Sequence, residues 1–413
     1  MKQETCGKHN WIPRTLAGPL REAAGHYPVV TLLGPRQSGK TSLVRTCFPA
    51  YEYCNLEDPE LRALALADPN EFLYRHPPPL ILDEIQRVPA LLSSLQVMVD
   101  AQPGAKGLFI LTGSHQPQLK AGIVQSLAGR TALLRLLPLS VVELEQAGVI
   151  QDRDELIFRG CMPRLYQENM PPTGLYRNYY ETYIERDVRQ LIQLRNLQAF
   201  ELFMKLLAGR VGQVLNLHSL SGEVGVSSPT LKEWLSVLEA SFVVFRLPPY
   251  YENFGKRFIK SPKLYFTEPG LAAYLLEIRS PAQVSRDPLL GALFENLVVI
   301  EALKSCWHRG EDADLYFFRD QKGFEIDLIH SRHRQLCPIE IKAARSYHSD
   351  FLKPIRTFCA LDPKVQSGAL VYAGNQSQKV GDQHVLTIRE VATFLHTCEP
   401  RSGDFDLSGK SWC

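Results

Sequence analysis

Residues 34–41 read Gly-Pro-Arg-Gln-Ser-Gly-Lys-Thr, and the apolar run Pro28-Val29-Val30-Thr31-Leu32-Leu33 leads directly into them. An unbroken run of β-branched and leucine residues reads as a strand buried on both faces, as in parallel sheets. Thr41-Ser42-Leu43-Val44-Arg45 can then open a helix. A strand, a glycine-bounded turn and a helix in this order leave little freedom: the glycines let successive backbone N–H groups turn inward as a nest for oxygens. Lys40 reaches the β- and γ-phosphates, Thr41 offers a hydroxyl to Mg²⁺, and the helix adds its positive dipole end. Gly34, Pro35, Arg36, Gln37, Ser38, Gly39, Lys40 and Thr41, with Ser42 after them, are therefore expected to bind a nucleoside triphosphate, read here as ATP with Mg²⁺.

The other half of such a site needs an acid at the end of a second buried strand. Leu80-Ile81-Leu82-Asp83-Glu84, punctuated by Pro77-Pro78-Pro79, supplies it. Asp83 is expected to hold the Mg²⁺ hydration shell from a strand beside the loop strand, and Glu84 to polarise the attacking water. Phe109-Ile110-Leu111-Thr112-Gly113-Ser114 is a further buried strand ending in hydroxyls. Thr112 or Ser114 can bond the γ-phosphate or the water, or simply form a turn.

Strands are expected at 28–33, 51–56, 79–83, 107–112 and 131–137, alternating with helices, which is the pattern of a parallel sheet covered on both faces. The stretch Met170-Pro171-Pro172-Thr173-Gly174 reads as a linker. Tyr180, Ile184, Val188 and Leu191 beyond it share one helical face, and a second helix is expected near 198–209. Residues 217–239 read as helix, turn, helix, with Gly225 in the turn, Ser227 as a cap and Leu231, Leu235 and Leu238 as a buried face. Two β-rich stretches, Phe242–Leu247 and Lys263–Phe266, bracket a loop bearing Lys256, Arg257 and Lys260. This is the pattern of a winged helix, which sets its second helix in the DNA major groove and its wing on phosphates. That helix carries Lys232 but also Glu233 and Glu239, so packing against the nucleotide domain competes with DNA contact as its role.

The last third of the chain places Glu295 on an apolar helix, Asp327 between Ile326 and Leu328 in a strand, and Glu340 and Lys342 two apart in the next strand, on one face. Glu295, Asp327 and Glu340 can bind one or two Mg²⁺ ions, with Lys342 orienting or deprotonating a water. A strand hairpin with solvated charges is the alternative.

Composition narrows the classes. At 413 residues, 45% hydrophobic and 22% charged, the chain is long enough for two or three globular domains. A net charge of +2 gives no bulk argument for nucleic acid or membrane. No run approaches a membrane helix, and the first residues, MKQETCGKHNWIPRTL, lack the apolar core of a signal peptide. The nine cysteines are scattered, with no C-x-x-C, which suggests reduced thiols, a cytoplasmic protein and no structural zinc site.

The phosphate loop and strand-end acids, with the phrases WIPRTL, NLEDP, LTGS and SLAGRTALLRLLPLS, resemble the AAA-type ATPases of bacteria and archaea that carry a C-terminal domain of unknown function. The resemblance spans nearly the whole chain. It implies ATP hydrolysis and a γ-phosphate-sensing arginine near the end of the ATPase core, acting in cis or from a neighbour; Arg130 in SLAGR is the candidate, with a surface arginine as the alternative. The acidic series Glu295, Asp327, Glu340 and Lys342 resembles the restriction-endonuclease-like core found in nucleases and Holliday-junction resolvases. The expected fold class is α/β: a P-loop parallel sheet with helices on both faces (1–170), then a mainly helical winged-helix region (175–285). A small α/β restriction-endonuclease-like domain (286–395) and a flexible tail (396–413) follow. The expected function is an Mg²⁺-dependent ATPase acting on DNA, with metal-dependent nuclease activity. The alternative is a nucleotide-gated switch binding DNA or protein, whose nuclease-like lobe is a scaffold. The expected partners are ATP, DNA, a protein partner or further copies of the chain, and no membrane.

Overall fold

The computed structural model describes residues 11–114, 122–123, 125–188, 196–250, 261–332, 335–361, 365 and 367–397. The chain divides into two compact units. The first takes in everything up to Leu247 together with Ser261–Ala313, and the second comprises the chain from Pro248 before that insertion and from Asp314 after it.

In the first unit, strands β1 (Val29–Leu33), β2 (Glu52–Asn55), β3 (Leu80–Asp83), β4 (Phe109–Gly113) and β5 (Thr131–Arg135) form one parallel sheet. The order is β2-β3-β4-β1-β5. Every residue of β1, β3 and β4 is buried, which is what their continuous apolar runs encode. One expectation is corrected here: β3, which ends in Asp83, does not lie beside the loop strand β1. Strand β4 is inserted between them, which brings Thr112 near its end to Asp83. The helices Ala17–His26 and Lys40–Cys47 cover one face, packing Leu16, Leu20, Leu43 and Val44 against Val30, Leu32 and Ile110.

No break separates the sheet from the helical region. Pro172, expected in a linker, instead occupies the first turn of a helix over Pro172–Tyr179 that continues as a π-helix over Tyr180–Val188. Proline has no N–H to lose at a helix start and its φ is preset for it. The π-helix also displaces the regular helical spacing expected for Tyr180, Ile184 and Val188; Tyr180 and Ile184 are buried, and Leu191 lies outside the described residues. Helices Leu217–Val224 and Ser228–Ala240 follow, separated at Gly225, with the Ser227 hydroxyl accepting from Thr230 N–H at 3.3 Å. Strands β6 (Val244–Leu247) and β7 (Lys263–Phe266) pair antiparallel. Lys256, Arg257 and Lys260 lie outside the described residues.

The helix Leu290–Trp307 belongs to this first unit as well. It is buried almost throughout because it supplies partners to groups far away in sequence. The Lys304 ammonium donates to Leu139 O and to Glu301 Oε1, and Glu301 Oε2 accepts from Val141 N–H at 2.7 Å. His308 Nε2 accepts from Leu137 N–H at 3.2 Å, and Nδ1 lies 3.6 Å from Glu143 Oε1. Glu143, fully buried, also faces Arg14 Nε at 3.1 Å. Burial by itself would raise the Glu143 carboxyl, but Arg14, His308 and Ser140 outweigh it and hold it well below the usual range. Burial lowers His308 from its ordinary 6.5, against the pull of Glu143.

The second unit is a six-stranded sheet: β8 (Leu315–Arg319), β9 (Glu325–Arg332), β10 (Gln335–Lys342), β11 (Ala369–Tyr372), β12 (Gln378–Val380) and β13 (Gln383–Leu386), in the order β12-β13-β11-β10-β9-β8. β8, β9 and β10 form an antiparallel meander, and β10 then pairs parallel with β11 after the helix Lys353–Leu361. Phe318, Ile326, Ile329, Leu336 and Phe358 form its core. The expected boundary at 285/286 therefore differs from the structural one, because the helix carrying Glu295 is packed into the first unit.

Glu143→Gln would keep the shape of the buried network but leave the Arg14 guanidinium without its counter-charge, at a cost of about 3–5 kcal/mol. The sign with pH follows. Both folded values lie below their ordinary ones, so the unfolded chain binds protons first, and stability falls as pH drops below about 6.5 for His308 and further below about 4.5 for Glu143. Urea titrations between pH 7 and pH 4 should show this loss in the parent, with the lower component missing in Glu143→Gln.

Candidate functional site

The phosphate loop runs from the end of β1 into the helix Lys40–Cys47. Gly34 has no room for a side chain: a Cβ there would sit 2.1 Å from Leu136 O. Gly39, just before the helix, adopts φ +93°, a left-handed conformation that glycine enters without penalty. No side chain caps the helix start, so its first N–H groups are left to an anion. The Ser38 hydroxyl is buried and has no hydrogen-bond partner among the described residues. Lys40 is buried and donates to Gly34 O at 3.0 Å and Pro35 O at 2.8 Å, which folds the ammonium back over the loop. Burial pushes its pKa below the ordinary value, opposed by Glu84 and Asp83 and assisted by Arg36. Arg36 itself lies 5.9 Å over the Tyr183 ring and 3.5 Å from Glu57.

Asp83 is the node of the site. Its Oδ2 accepts from Thr41 Oγ1 at 2.8 Å and from the Tyr53 hydroxyl at 2.7 Å, and its Oδ1 accepts from Thr112 Oγ1. Three hydroxyls from the loop helix, β2 and β4 thus converge on one carboxylate. Burial and the bond to Asp83 raise the Tyr53 phenol well above its ordinary value, so it stays a donor. Glu84 follows in a left-handed turn, φ 59°. Its backbone N–H lies 3.4 Å from Thr112 Oγ1, and its carboxylate accepts from Gln86 Nε2, which also donates to Ser114 Oγ at 2.9 Å. Gln86 therefore ties the candidate water-activating acid to the end of β4.

The structure brings Lys40, Thr41, Asp83, Glu84, Thr112 and Ser114 into one constellation. Arg130 is elsewhere. Its backbone carbonyl accepts from Val29 N–H at the start of β1, and its guanidinium pairs with Asp100 at 2.6 and 2.9 Å. The loop leaves the other end of β1, about 17 Å away at ~3.3 Å per residue. The expected cis sensing of a γ-phosphate by Arg130 is thus excluded by the direction of the strand.

Arg14, Tyr53 and Gln86 are site residues that the motifs did not point to. Arg14 donates to Ser38 O and to Leu137 O, both at 2.7 Å, and so fixes the loop backbone from a segment preceding the sheet. It sits in the phrase WIPRTL, which was the available signal.

In the second unit, Asp327 on β9 and Glu340 and Lys342 on β10 come together. Asp327 Oδ2 accepts from Ile341 N–H at 2.8 Å, and Lys342 Nζ lies 2.5 Å from Glu340 Oε1 and 3.9 Å from Asp327 Oδ2. Glu295 is not part of this sheet. In the first unit its Oε1 accepts from Lys263 Nζ at 2.8 Å and from the Tyr265 hydroxyl at 2.6 Å, so the helix that carries it groups with the first unit and not with the expected 286–395 domain. Its ammonium and phenol partners, absent from the local sequence, explain why an acid tolerates that apolar helix.

A parallel sheet with its phosphate loop on β1 and acids closing β3 is the architecture of an AAA-type ATPase domain, and residues 26–145 match the family described as AAA domain. Residues 150–282 and 290–391 match two families described as domains of unknown function, DUF8612 and DUF4143. Uncharacterized proteins of Mycobacterium tuberculosis and Mycobacterium bovis are each 31% identical over 372 residues, covering 89% of this chain and 82% of theirs. The chain belongs to the family of these mycobacterial proteins. Among solved structures, a Walker-type ATPase of Pyrococcus abyssi aligns with 63% of this chain and 94% of its own at 14% identity and a TM-score of 0.38. AMPPCP-bound DnaA of Aquifex aeolicus aligns with 54% of this chain and 85% of its own at 13% identity and a TM-score of 0.27. Among the described residues no helix is long and apolar enough to cross a membrane.

Tyr53→Phe removes one of the three hydroxyls on Asp83 and leaves the ring that Arg45 covers. A hydrogen bond to a charged group contributes about 1.5–3 kcal/mol, so the unfolding free energy from urea titration should fall by that amount.

Proposed function

We propose that this protein binds ATP with Mg²⁺ at the phosphate loop and hydrolyses it, and that the cycle acts on a DNA partner. The observation that carries the ATPase reading is the convergence of Thr41, Tyr53 and Thr112 on Asp83, with Glu84 next in the chain. These oxygens suit a hard cation that prefers oxygen ligands and keeps several waters. Thr41 and Asp83 would hold the metal, which when bound neutralises charge developing on the phosphoryl oxygens. Lys40 would turn from the carbonyls of Gly34 and Pro35 to the β- and γ-phosphates. The loop N–H groups and the buried Ser38 hydroxyl would donate to the remaining phosphate oxygens. Glu84, held by Gln86, would polarise the water, and Thr112 or Ser114 would report on the γ-phosphate side.

The second part concerns Asp327, Glu340 and Lys342. Two carboxylates and an ammonium on adjacent strands support a restriction-endonuclease-like reading in which Asp327 and Glu340 hold a divalent ion and Lys342 steadies the attacking water. The helices Leu217–Val224 and Ser228–Ala240, followed by the β6–β7 pair, support a winged helix; Arg246 neutralises Glu239 on its second helix, which weakens the electrostatic objection to DNA. The other reading keeps the nucleotide site and makes the second unit a non-catalytic scaffold in a switch.

Lys40→Ala should abolish tight binding of a fluorescent ATP analogue. Glu84→Gln should bind it like the parent while phosphate release slows by about 10²–10⁴-fold. Hydrolysis at the parent rate in Glu84→Gln would refute its role.

Nicking of supercoiled, linear or branched DNA with Mg²⁺ or Mn²⁺ tests the second unit. Asp327→Ala should remove that cleavage and leave ATP hydrolysis within about twofold of the parent. Absence of cleavage by the parent on every substrate would leave the scaffold reading.

A further inference from the structure

Strand β2 presents alternate residues to opposite sides, as any strand does. Tyr53 faces Asp83, while Glu52 and Cys54 share the other side. There they meet His76, which caps the C-terminal end of the helix Pro69–Arg75. His76 Nδ1 lies 2.5 Å from Glu52 Oε1. One ligand atom from each of Glu52, Cys54 and His76 lies within 4.8 Å of the other two, and this is the group of His, Cys, Asp and Glu side chains among the described residues that is close enough to hold a metal ion.

We propose that Glu52, Cys54 and His76 form a binding site for a borderline-soft divalent cation of the zinc type, separate from the nucleotide site. The donor set is a thiolate, an imidazole and a carboxylate, the chemistry that selects zinc or a similar first-row ion over Mg²⁺. Bonds of about 2.0 Å to nitrogen and oxygen and 2.3 Å to sulfur place tetrahedral ligands roughly 3.3–3.7 Å apart. The donors thus need to move by about 1 Å or less.

The exposure pattern also fits. Cys54 is buried at 2% exposure, while Glu52 is exposed and His76 partly so. The fourth position therefore opens to water, as in sites that keep one exchangeable ligand. A bound divalent ion would tie β2, the edge strand of the five-stranded sheet, to the end of the helix Pro69–Arg75. The expectation of no structural zinc site rested on the absence of C-x-x-C and paired histidines. A set split between a strand and a helix end more than twenty residues on has no such signature.

The test uses the full chain and Co²⁺ alone as the probe. Tetrahedral cobalt with one thiolate gives a sulfur-to-metal charge-transfer absorption that oxygen-only coordination at the phosphate loop does not. One equivalent of Co²⁺ should generate that absorption, and Zn²⁺ should displace it. Cys54→Ala should abolish it. His76→Ala and Glu52→Gln, at sites open to solvent, should weaken Co²⁺ binding by at least about 100-fold while far-ultraviolet circular dichroism stays unchanged, since even outer-shell losses cost 10–100-fold. Absence of the absorption in the parent, or its survival in Cys54→Ala, would overturn the site.

Discussion

The buried pair between Arg14 and Glu143 is the interaction on which the rest of the first unit depends. Both side chains are out of water, at 5% and 0% exposure. An arginine keeps its charge at any accessible pH, so the carboxylate opposite must stay ionised or the site opens. The two terminal nitrogens of the guanidinium donate to Ser38 O and Leu137 O. One cation thus sets the phosphate-loop backbone, the exit from β5 and the start of the helix Val141–Gln146 together. A loop of glycines and short side chains has little stiffness of its own. Its shape is imposed by the charge behind it.

The node at Asp83 adds a second constraint on top of that frame. Three hydroxyl donors leave the carboxylate one orientation, and Gln86 does the same for Glu84 through Ser114. Inserting β4 between β1 and β3 makes this possible, because Thr112 then lies where it can bond the acid. Positioned groups of this kind need not reorganise when charge develops, which is the usual source of electrostatic catalysis.

The parts legible in the sequence are those encoded by contiguous residues. The phosphate loop, the buried runs of β1, β3 and β4, and the helix-turn-helix around Gly225 each carry their own local pattern. What was hidden depends on partners far along the chain. Tyr53 lies in an ordinary β-rich stretch and acquires meaning only when β2 pairs with β3. Arg14 meets Leu137 across 123 residues, and Lys304 meets Leu139 across 165. Glu295 was read as a metal ligand because the partners it has here, Lys263 and Tyr265, are remote in sequence. Arg130 was misplaced for a different reason: a strand's direction, which periodicity does not report, decides which end of the sheet a residue occupies. Pro172 read as a break because a proline that starts a helix and one that ends it are the same letter.

The chain from Leu137 to Glu143 is held at three points by the helix Leu290–Trp307 and the residue after it: Leu137 by His308, Leu139 by Lys304 and Val141 by Glu301. This helix comes from a part of the sequence that matches a different family from the nucleotide-binding segment, and Arg14 precedes that segment altogether. The three matched segments are therefore not independent building blocks. A fragment limited to 26–145 would carry the Glu143 carboxylate into its interior without the Arg14 guanidinium and the His308 ring that face it. Recombination that swapped the nucleotide segment between distant relatives would have to carry Arg14, Glu301, Lys304 and His308 with it. In this chain the nucleotide segment, the residues before it and the helix Leu290–Trp307 form one folding unit.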